Sequence, residues 1–322
     1  MSLRSPFIKI GSSSSAMAAW AWIALLIPCS IYSFLYNPDY LPHLIGYSLL
    51  GSIAESIYTF IIKRKRRLVC MGSAFSAALL AASVPPTVPF FPMCCAILLM
   101  VWIIKLPMSG SPLRFNAAMA GRLFLMLVFP ATAVNWGTPA VDAISTATPQ
   151  ELYRSEGYPL EYSQWLFSKI EGSWEGLLTL VPGSPGETFP LLLIPIGALL
   201  VWKGIIGWRT PIFFLLSFSI MTAIFGHDPL YNLLSAATLF SAVFIVADPV
   251  STPMSKSGQV LCGLIIGISN AMIRQFTFYT EAIVYAVLIG NCYAPLLDKM
   301  AFELRGTQLQ KRTVKLVYSL GK

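Results

Sequence analysis

The chain has 322 residues, of which 56% are hydrophobic and 11% charged, with a mean hydropathy of +0.69 and a net charge of +8. A soluble domain normally carries about 25% charged residues, so a soluble enzyme or binding module is excluded as the main body. The basic excess is scattered between apolar runs, where it reads as a topology signal for a lipid bilayer and not as a surface for nucleic acid.

Runs near 20 residues are the length that crosses a bilayer. They predict spans over 16–36, 43–62, 69–84, 89–106 and 117–134, then over 187–206, 210–226, 229–247, 258–274 and 279–297. The first run follows Arg4 and Lys9, but no small-residue cleavage site comes after it, and Cys29 is followed by further apolar residues. It is therefore expected to stay as a span and not to be removed as a leader. The third run ends at Val84-Pro85-Pro86 and is short enough to be broken or partly re-entrant.

The expected fold class is an all-α integral membrane protein of about ten transmembrane helices, a single polytopic domain in two five-helix halves. The first half covers 1–134, a long connection 135–186, the second half 187–297, and a basic tail 298–322. With the N-terminus inside, nineteen of the 22 Lys and Arg fall in internal segments, and only Arg154, Lys169 and Arg274 fall outside. Positive residues are retained on the cytoplasmic side, so both termini are expected there and the 135–186 loop on the opposite face. The run Lys63 to Arg67 fits the same rule, with anionic lipid adding about 1 kcal/mol per basic residue near the surface.

An odd number of spans per half places any duplicated halves in opposite orientation, the arrangement of inverted repeats and of urea transporters. Ser83-Val84-Pro85-Pro86-Thr87 and Asp248-Pro249-Val250-Ser251-Thr252-Pro253 punctuate the two halves. A connection of about 50 residues between packed spans is uncommon and usually functional. This one is acidic, with Asp142, Glu151, Glu156, Glu161, Glu171 and Glu175 against Arg154 and Lys169.

Metal chemistry has little to work with. Cys29, Cys70, Cys94, Cys95, Cys262 and Cys292 form no C-x-x-C pair and lie in or beside apolar segments, where cysteine acts as a small hydrophobe. Only His43 and His227 are available as histidine ligands.

Within the loop stands Asp142-Ala143-Ile144-Ser145-Thr146-Ala147-Thr148-Pro149. By composition it is a turn or helix start whose hydroxyls serve as caps. It also resembles the FMN acceptor sequence Asp-x-x-Ser-Gly-Ala-Thr of the RnfD/NqrB family, with Thr146 at the usual glycine. Further stretches resemble the same family in the same order. They are Gly72-Ser73-Ala74 through Pro85-Pro86-Thr87; Arg114-Phe115-Asn116-Ala117-Ala118-Met119-Ala120-Gly121-Arg122; Pro182-Gly183-Ser184-Pro185-Gly186-Glu187-Thr188; Gly204 to Pro211; Ala247 to Pro253; Ile273-Arg274; Tyr279-x-Glu281; and Asn291 to Asp298. Ala117 stands where the family usually has proline, and Phe189 where it usually has serine.

The resemblance implies a membrane component of an ion-translocating electron-transport complex, most like the RnfD subunit of Rnf, in the bacterial inner membrane. It implies FMN held covalently by a phosphoester to Thr148, attached by a periplasmic flavin transferase that recognises Asp142 and Ser145 with it. Small neighbours would let the threonine hydroxyl approach a bulky nucleotide. It implies redox partner subunits and coupling to Na⁺ or H⁺. Asn116 and Asp248 carry over as candidate ligands of a second, non-covalent flavin such as riboflavin. An amide can donate and accept along a ring edge, and a carboxylate can accept from a hydroxyl; equally, both residues suit helix caps. Glu55 lies well inside a span, where an ionised carboxylate costs roughly 2.5–3.5 kcal/mol. It is a candidate for the ion pathway or for a helix–helix hydrogen bond. Glu187, at the membrane edge after Gly186, is a second ion-pathway candidate. Two alternatives stand beside this one: the NqrB component of a Na⁺-translocating NADH:quinone reductase, and a solute transporter or channel without redox function.

Overall fold

The computed structural model describes residues 14–62, 64, 70–133, 183–234, 237–277 and 281–320, with side chains from 15 to 303. Asp142, Ser145 and Thr148 lie outside these residues. Every regular element among the described residues is helical. In chain order they are α1 (Ser14–Leu35), α2 (Tyr40–Ile61), α3 (Met71–Ala82), α4 (Phe90–Leu99, continued by a π-turn over Met100–Lys105), α5 (Ala117–Val128) and α6 (Pro130–Ala133). After the long connection come α7 (Pro190–Trp202), α8 (Arg209–Ile224), α9 (Pro229–Leu234), α10 (Thr238–Phe240, continued by a π-turn over Ser241–Ile245), α11 (Lys256–Phe276) and α12 (Ala282–Leu320).

Four helical stretches, Ser15–Leu35, Tyr40–Ile61, Phe90–Ser109 and Lys256–Phe276, are long and apolar enough to cross a membrane. Four more, α3, α5, α7 and α8, are apolar but shorter. Large hydrophobic side chains stand on the outside of the bundle, Phe34 at 86% exposure and Trp202 at 81%, with Phe276, Leu127, Phe91 and Ile224 also exposed. A soluble monomer rarely exposes so many large apolar side chains. With the apolar helices, this belt makes the chain a membrane protein.

Local sequence explains where helices begin and end. The Asn116 side chain accepts from Met119 N at 3.1 Å and starts α5, and the Ser255 hydroxyl accepts from Gly258 N at 3.1 Å and starts α11. The missing N–H of proline costs nothing in a helix's first turn, which suits Pro190 at the head of α7. Inside a helix proline removes a hydrogen bond, so α5 stops at Val128, ahead of Phe129-Pro130. Proline also ends α3: the Ser83 hydroxyl donates to Leu80 O at 2.9 Å, and Pro85-Pro86 follow.

Four predicted spans take a different form. The third is α3 alone, twelve residues long, followed by a break, as its prolines suggest. The eighth is divided: α9 ends at Leu234, Ala237 adopts a left-handed φ of 59°, and the chain resumes as α10 and its π-turn. The sixth begins later than expected, because 183–189 form a turn and the helix starts at Pro190; Glu187 therefore precedes the helix. The tenth span and the tail expected over 298–322 are one helix of 39 residues. At 1.5 Å per residue it extends about 58 Å, nearly twice a hydrocarbon core of about 30 Å.

Small residues set the closest helix contacts. A Cβ added at Gly51 of α2 would meet Ser73 O at 2.6 Å and Ala77 Cβ at 2.7 Å, so α2 and α3 touch backbone to backbone there. Gly263 and Gly267 do the same for α11 against α8. Spaced as G-x-x-x-G, they face Thr210 O and Phe214 O, each 2.5 Å from the Cβ that glycine lacks. In a membrane, where lipid is as apolar as leucine, such close packing is a main source of helix association.

Candidate functional site

Two polar sites lie inside the apolar bundle. The first surrounds the start of α5. Asn116 N donates to Asn291 Oδ1 of α12 at 2.8 Å, and Asn116 Nδ2 donates to Asp248 Oδ2 at 3.3 Å. Asp248 also accepts from Val250 N at 3.0 Å and from the Ser251 hydroxyl at 2.9 Å. Asn291 Nδ2 closes the ring by donating to Ser251 O at 3.1 Å. Asn116 and Asp248, chosen from sequence, thus belong to one network that ties α5 to α12 and to the turn after α10. Asn116 also caps α5 as expected, whereas Asp248 caps no helix: its carboxylate bonds the turn through Pro249 to Ser251 that follows it. Burial raises the Asp248 carboxyl above its ordinary range, while the hydrogen bonds from Val250 and Ser251 and the Lys105 charge pull it back down.

That network forms one wall of a cavity of about 280 Å³. Glu55, Lys105 and Arg114 also line it, with Phe75, Phe115 and Phe244 among its apolar surfaces. Glu55 accepts from the Ser73 hydroxyl at 2.5 Å, and Lys105 Nζ donates to the Ser76 hydroxyl at 3.0 Å. Ser73 and Ser76 are three residues apart on α3 and so share one face. Glu55 thus makes the helix–helix hydrogen bond expected of it, and its side chain also borders the cavity. The mixture of apolar walls with an amide, two carboxylates and two cations fits an amphipathic heterocycle. The donors and acceptors present suit the ring system of a flavin, with Asn116, Asp248 and Lys105 as the groups that would hold it.

The second site centres on the turn before α7. Glu187 Oε1 accepts from Ser184 N, closing a four-residue turn on its own backbone. Two glycines make room for it. A Cβ at Gly183 would meet the Glu187 carboxyl at 2.6 Å, and one at Gly186 would meet Ala82 O at 2.9 Å and the Phe240 ring. Gly186 N donates to that same Ala82 O at 2.9 Å, so the turn is docked on the end of α3. This gives Gly183-Ser184-Pro185-Gly186-Glu187 a physical meaning: each glycine stands where a side chain does not fit. Replacement of Gly186 by alanine is expected to lower stability by about 1–3 kcal/mol, the usual range for forced overpacking. Thermal unfolding in detergent measures it, and unchanged stability would show that the turn can move away from α3.

Around that turn lie Arg122 of α5, Arg274 of α11 and Glu281 just ahead of α12. Arg122 and Glu281 form an ion pair, with side chains 3% and 13% exposed. Arg274 Nη2 donates to the Thr238 hydroxyl at 3.2 Å, and its guanidinium lies 4.8 Å from the centre of the Phe218 ring. Glu187, Arg122, Arg274 and Glu281 each stand in a stretch that resembles the RnfD/NqrB family, but their meeting at one site is not legible in the sequence. Arg122, Arg274 and Lys105 each stand at the edge of an apolar run, where a basic residue reads as a marker of sidedness. Only the packing shows that they point inward.

The cysteines are all free thiols, four of them on apolar helices of the bundle. Among the described residues no group of three or more metal-ligating side chains occurs.

Known proteins resemble the chain along nearly its whole length. The family profile described as "NQR2, RnfD, RnfE family" matches residues 2–304. The D component of the proton-translocating ferredoxin:NAD(+) oxidoreductase complex of Clostridium ljungdahlii is 27% identical over 315 residues, covering 92% of each chain. The D component of the Na(+)-translocating ferredoxin:NAD(+) oxidoreductase complex of Acetobacterium woodii is 27% identical over 303 residues, covering 93% of this chain and 92% of the relative. The B component of the Na(+)-translocating NADH-quinone reductase of Klebsiella pneumoniae is also 27% identical, over 311 residues, but 72% of that relative is covered.

Proposed function

Because the chain belongs to the NQR2, RnfD, RnfE family, we propose that it is the FMN-carrying membrane component of an Rnf-type ion-translocating oxidoreductase complex. Full-length similarity to the D components of two ferredoxin:NAD(+) oxidoreductase complexes carries this reading. Coverage also separates it from the quinone-reductase alternative, whose relatives have more than a quarter of their length outside the match. A transporter without redox function leaves both the family membership and the Thr148 string without an explanation.

In this reading ten spans lie in the bacterial inner membrane as two inverted halves. Both termini are cytoplasmic and residues 135–186 face outward, as seventeen internal basic residues against two favour once the inward-pointing Lys105, Arg122 and Arg274 are set aside. A periplasmic flavin transferase links FMN to Thr148 within the sequence from Asp142 to Thr148. The bound flavin supplies one-electron redox chemistry. The chain's own part is to hold and orient. The Thr148 hydroxyl anchors the cofactor at the outer face, where partner redox subunits can reach it. Asn116, Asp248 and Lys105 hold a second flavin such as riboflavin at the cytoplasmic end of the bundle. Glu55 and Glu187 border the route taken by Na⁺ or H⁺.

Co-expression with the transferase tests the anchor. The wild-type protein should give a fluorescent band in a denaturing gel, and the tryptic peptide ending at Arg154 should carry the mass of FMN. Thr148→Ala should lose both. A fluorescent band that survives Thr148→Ala would refute the assignment.

A further inference from the structure

The second polar site has a chemistry of its own. Arg122, Glu187, Arg274 and Glu281 come from α5, the turn before α7, the last turn of α11 and the residue preceding α12, so both halves of the chain contribute. Arg122 and Glu187 are only 3% and 8% exposed. Arg122 is committed to Glu281 through Nη2, and its Nη1 is buried without a hydrogen-bond acceptor. Glu187 uses Oε1 on Ser184 N, and its Oε2 is buried without a donor. Yet Glu187 lies within electrostatic reach of both Arg122 and Glu281, and Arg274 within reach of both carboxylates. Among the described residues, Arg122 (α5), Arg274 (α11), Glu281 (head of α12) and Ser184 (its own turn) are the polar and charged groups that face Glu187. A buried carboxylate, Glu187, and a partly buried one, Glu281, compete here for the Arg122 guanidinium, and Glu281 holds it.

A carboxylate in an apolar interior with one oxygen bare and no cation in contact is strongly disfavoured. The neutral acid is not, because the bare oxygen then carries the proton. An arginine, by contrast, keeps its charge in any protein environment, so the only adjustable charges in the cluster are the carboxyls. The geometry also provides an alternative arrangement: Arg122 has an unused N–H edge, and Glu187 has an unused oxygen.

We propose that Glu187 is a proton-binding site in the translocation route, protonated while Arg122 pairs with Glu281 and ionised when Arg122 turns to Glu187. The inference rests on the ion-coupling reading above and names the ion at this point as the proton. In the step the O–H bond of the Glu187 carboxyl breaks. Its electron pair stays on the carboxylate, its proton passes to water, and Arg122 remains a guanidinium throughout.

Infrared difference spectra of the whole purified complex, poised oxidised and reduced at an electrode, test it. The expected result is a carbonyl band of a protonated carboxyl that shifts in deuterated water and is lost in Glu187→Gln. Glu281→Gln gives the sharper outcome. With its competitor removed, Arg122 pairs with Glu187 and keeps it ionised, so the band disappears although Glu187 is still present. A band that persists in Glu187→Gln, that is unchanged in Glu281→Gln, or that follows Na⁺ concentration and not pH overturns the proposal. Fluorescence of FMN on Thr148 in both variants reports that they have folded. Flavin-free wild-type protein would sink the functional reading while leaving the Glu187 result to stand or fall by itself.

Discussion

Arg122→Leu should be among the most damaging single substitutions in the chain, lowering stability by about 3–5 kcal/mol. The substitution removes the partner of Glu281 and leaves that carboxylate buried and uncompensated, and breaking a buried pair from one side costs this much. Arg122 is 3% exposed, so water cannot take over the role of the guanidinium. The double variant Arg122→Leu/Glu281→Leu should recover most of the loss, since an apolar pair of similar volume in place of a buried ion pair is often neutral or better. Thermal unfolding of the four proteins in one detergent forms a double-mutant cycle. If the double variant is as unstable as the sum of the singles, the two residues act independently and the ion pair is not what holds α5 to the start of α12.

Which parts of this arrangement can be read from the residues alone follows from the range of the interactions involved. Apolar runs and prolines act locally, so α1, α2 and α4 stand near their predicted places, and the breaks at Pro85-Pro86 and before Pro249 do too. Asn116 and Asp248 come from the resemblance of their stretches to the family and not from local pattern, and the structure brings the two within 3.3 Å. Non-local choices are not legible. Nothing near Leu234 in sequence announces that the helix stops there and resumes after a left-handed Ala237. The turn over 183–189 displaces the start of α7 because it docks on Ala82, a hundred residues earlier. By charge alone Lys105 and Arg122 belong at the membrane surface; the packing of helix against helix turns them inward to Ser76 and Glu281. Glycines carry a related signal, since their positions show only that a side chain is absent and not what approaches in its place.

Gly263, Gly267 and Gly46 differ in what approaches the missing side chain, so substitution should tell them apart. Gly263→Leu/Gly267→Leu should weaken the α8–α11 contact by about 3 kcal/mol or more, because forced overpacking costs about 1–3 kcal/mol at a single site and two sites one helical turn apart must both give way. At Gly263 the added Cβ would lie 2.5 Å from Thr210 O and 3.0 Å from Phe214 N; at Gly267 it would strike the Ser217 hydroxyl and lie 2.5 Å from Phe214 O. Most of these neighbours are backbone atoms of α8, so rotamer changes cannot relieve the clash and the helices must separate. Gly46 of α2 has the same residue type in the same kind of helix, with nothing within 4 Å of an added Cβ. Gly46→Ala should therefore be neutral or stabilising by up to about 1 kcal/mol, the helix-propensity difference alone. Detergent unfolding curves of both variants against wild type measure the contrast. Equal effects at the two places would mean that glycine content matters here only through backbone flexibility, and that close approach of α11 to α8 does not hold the second half together.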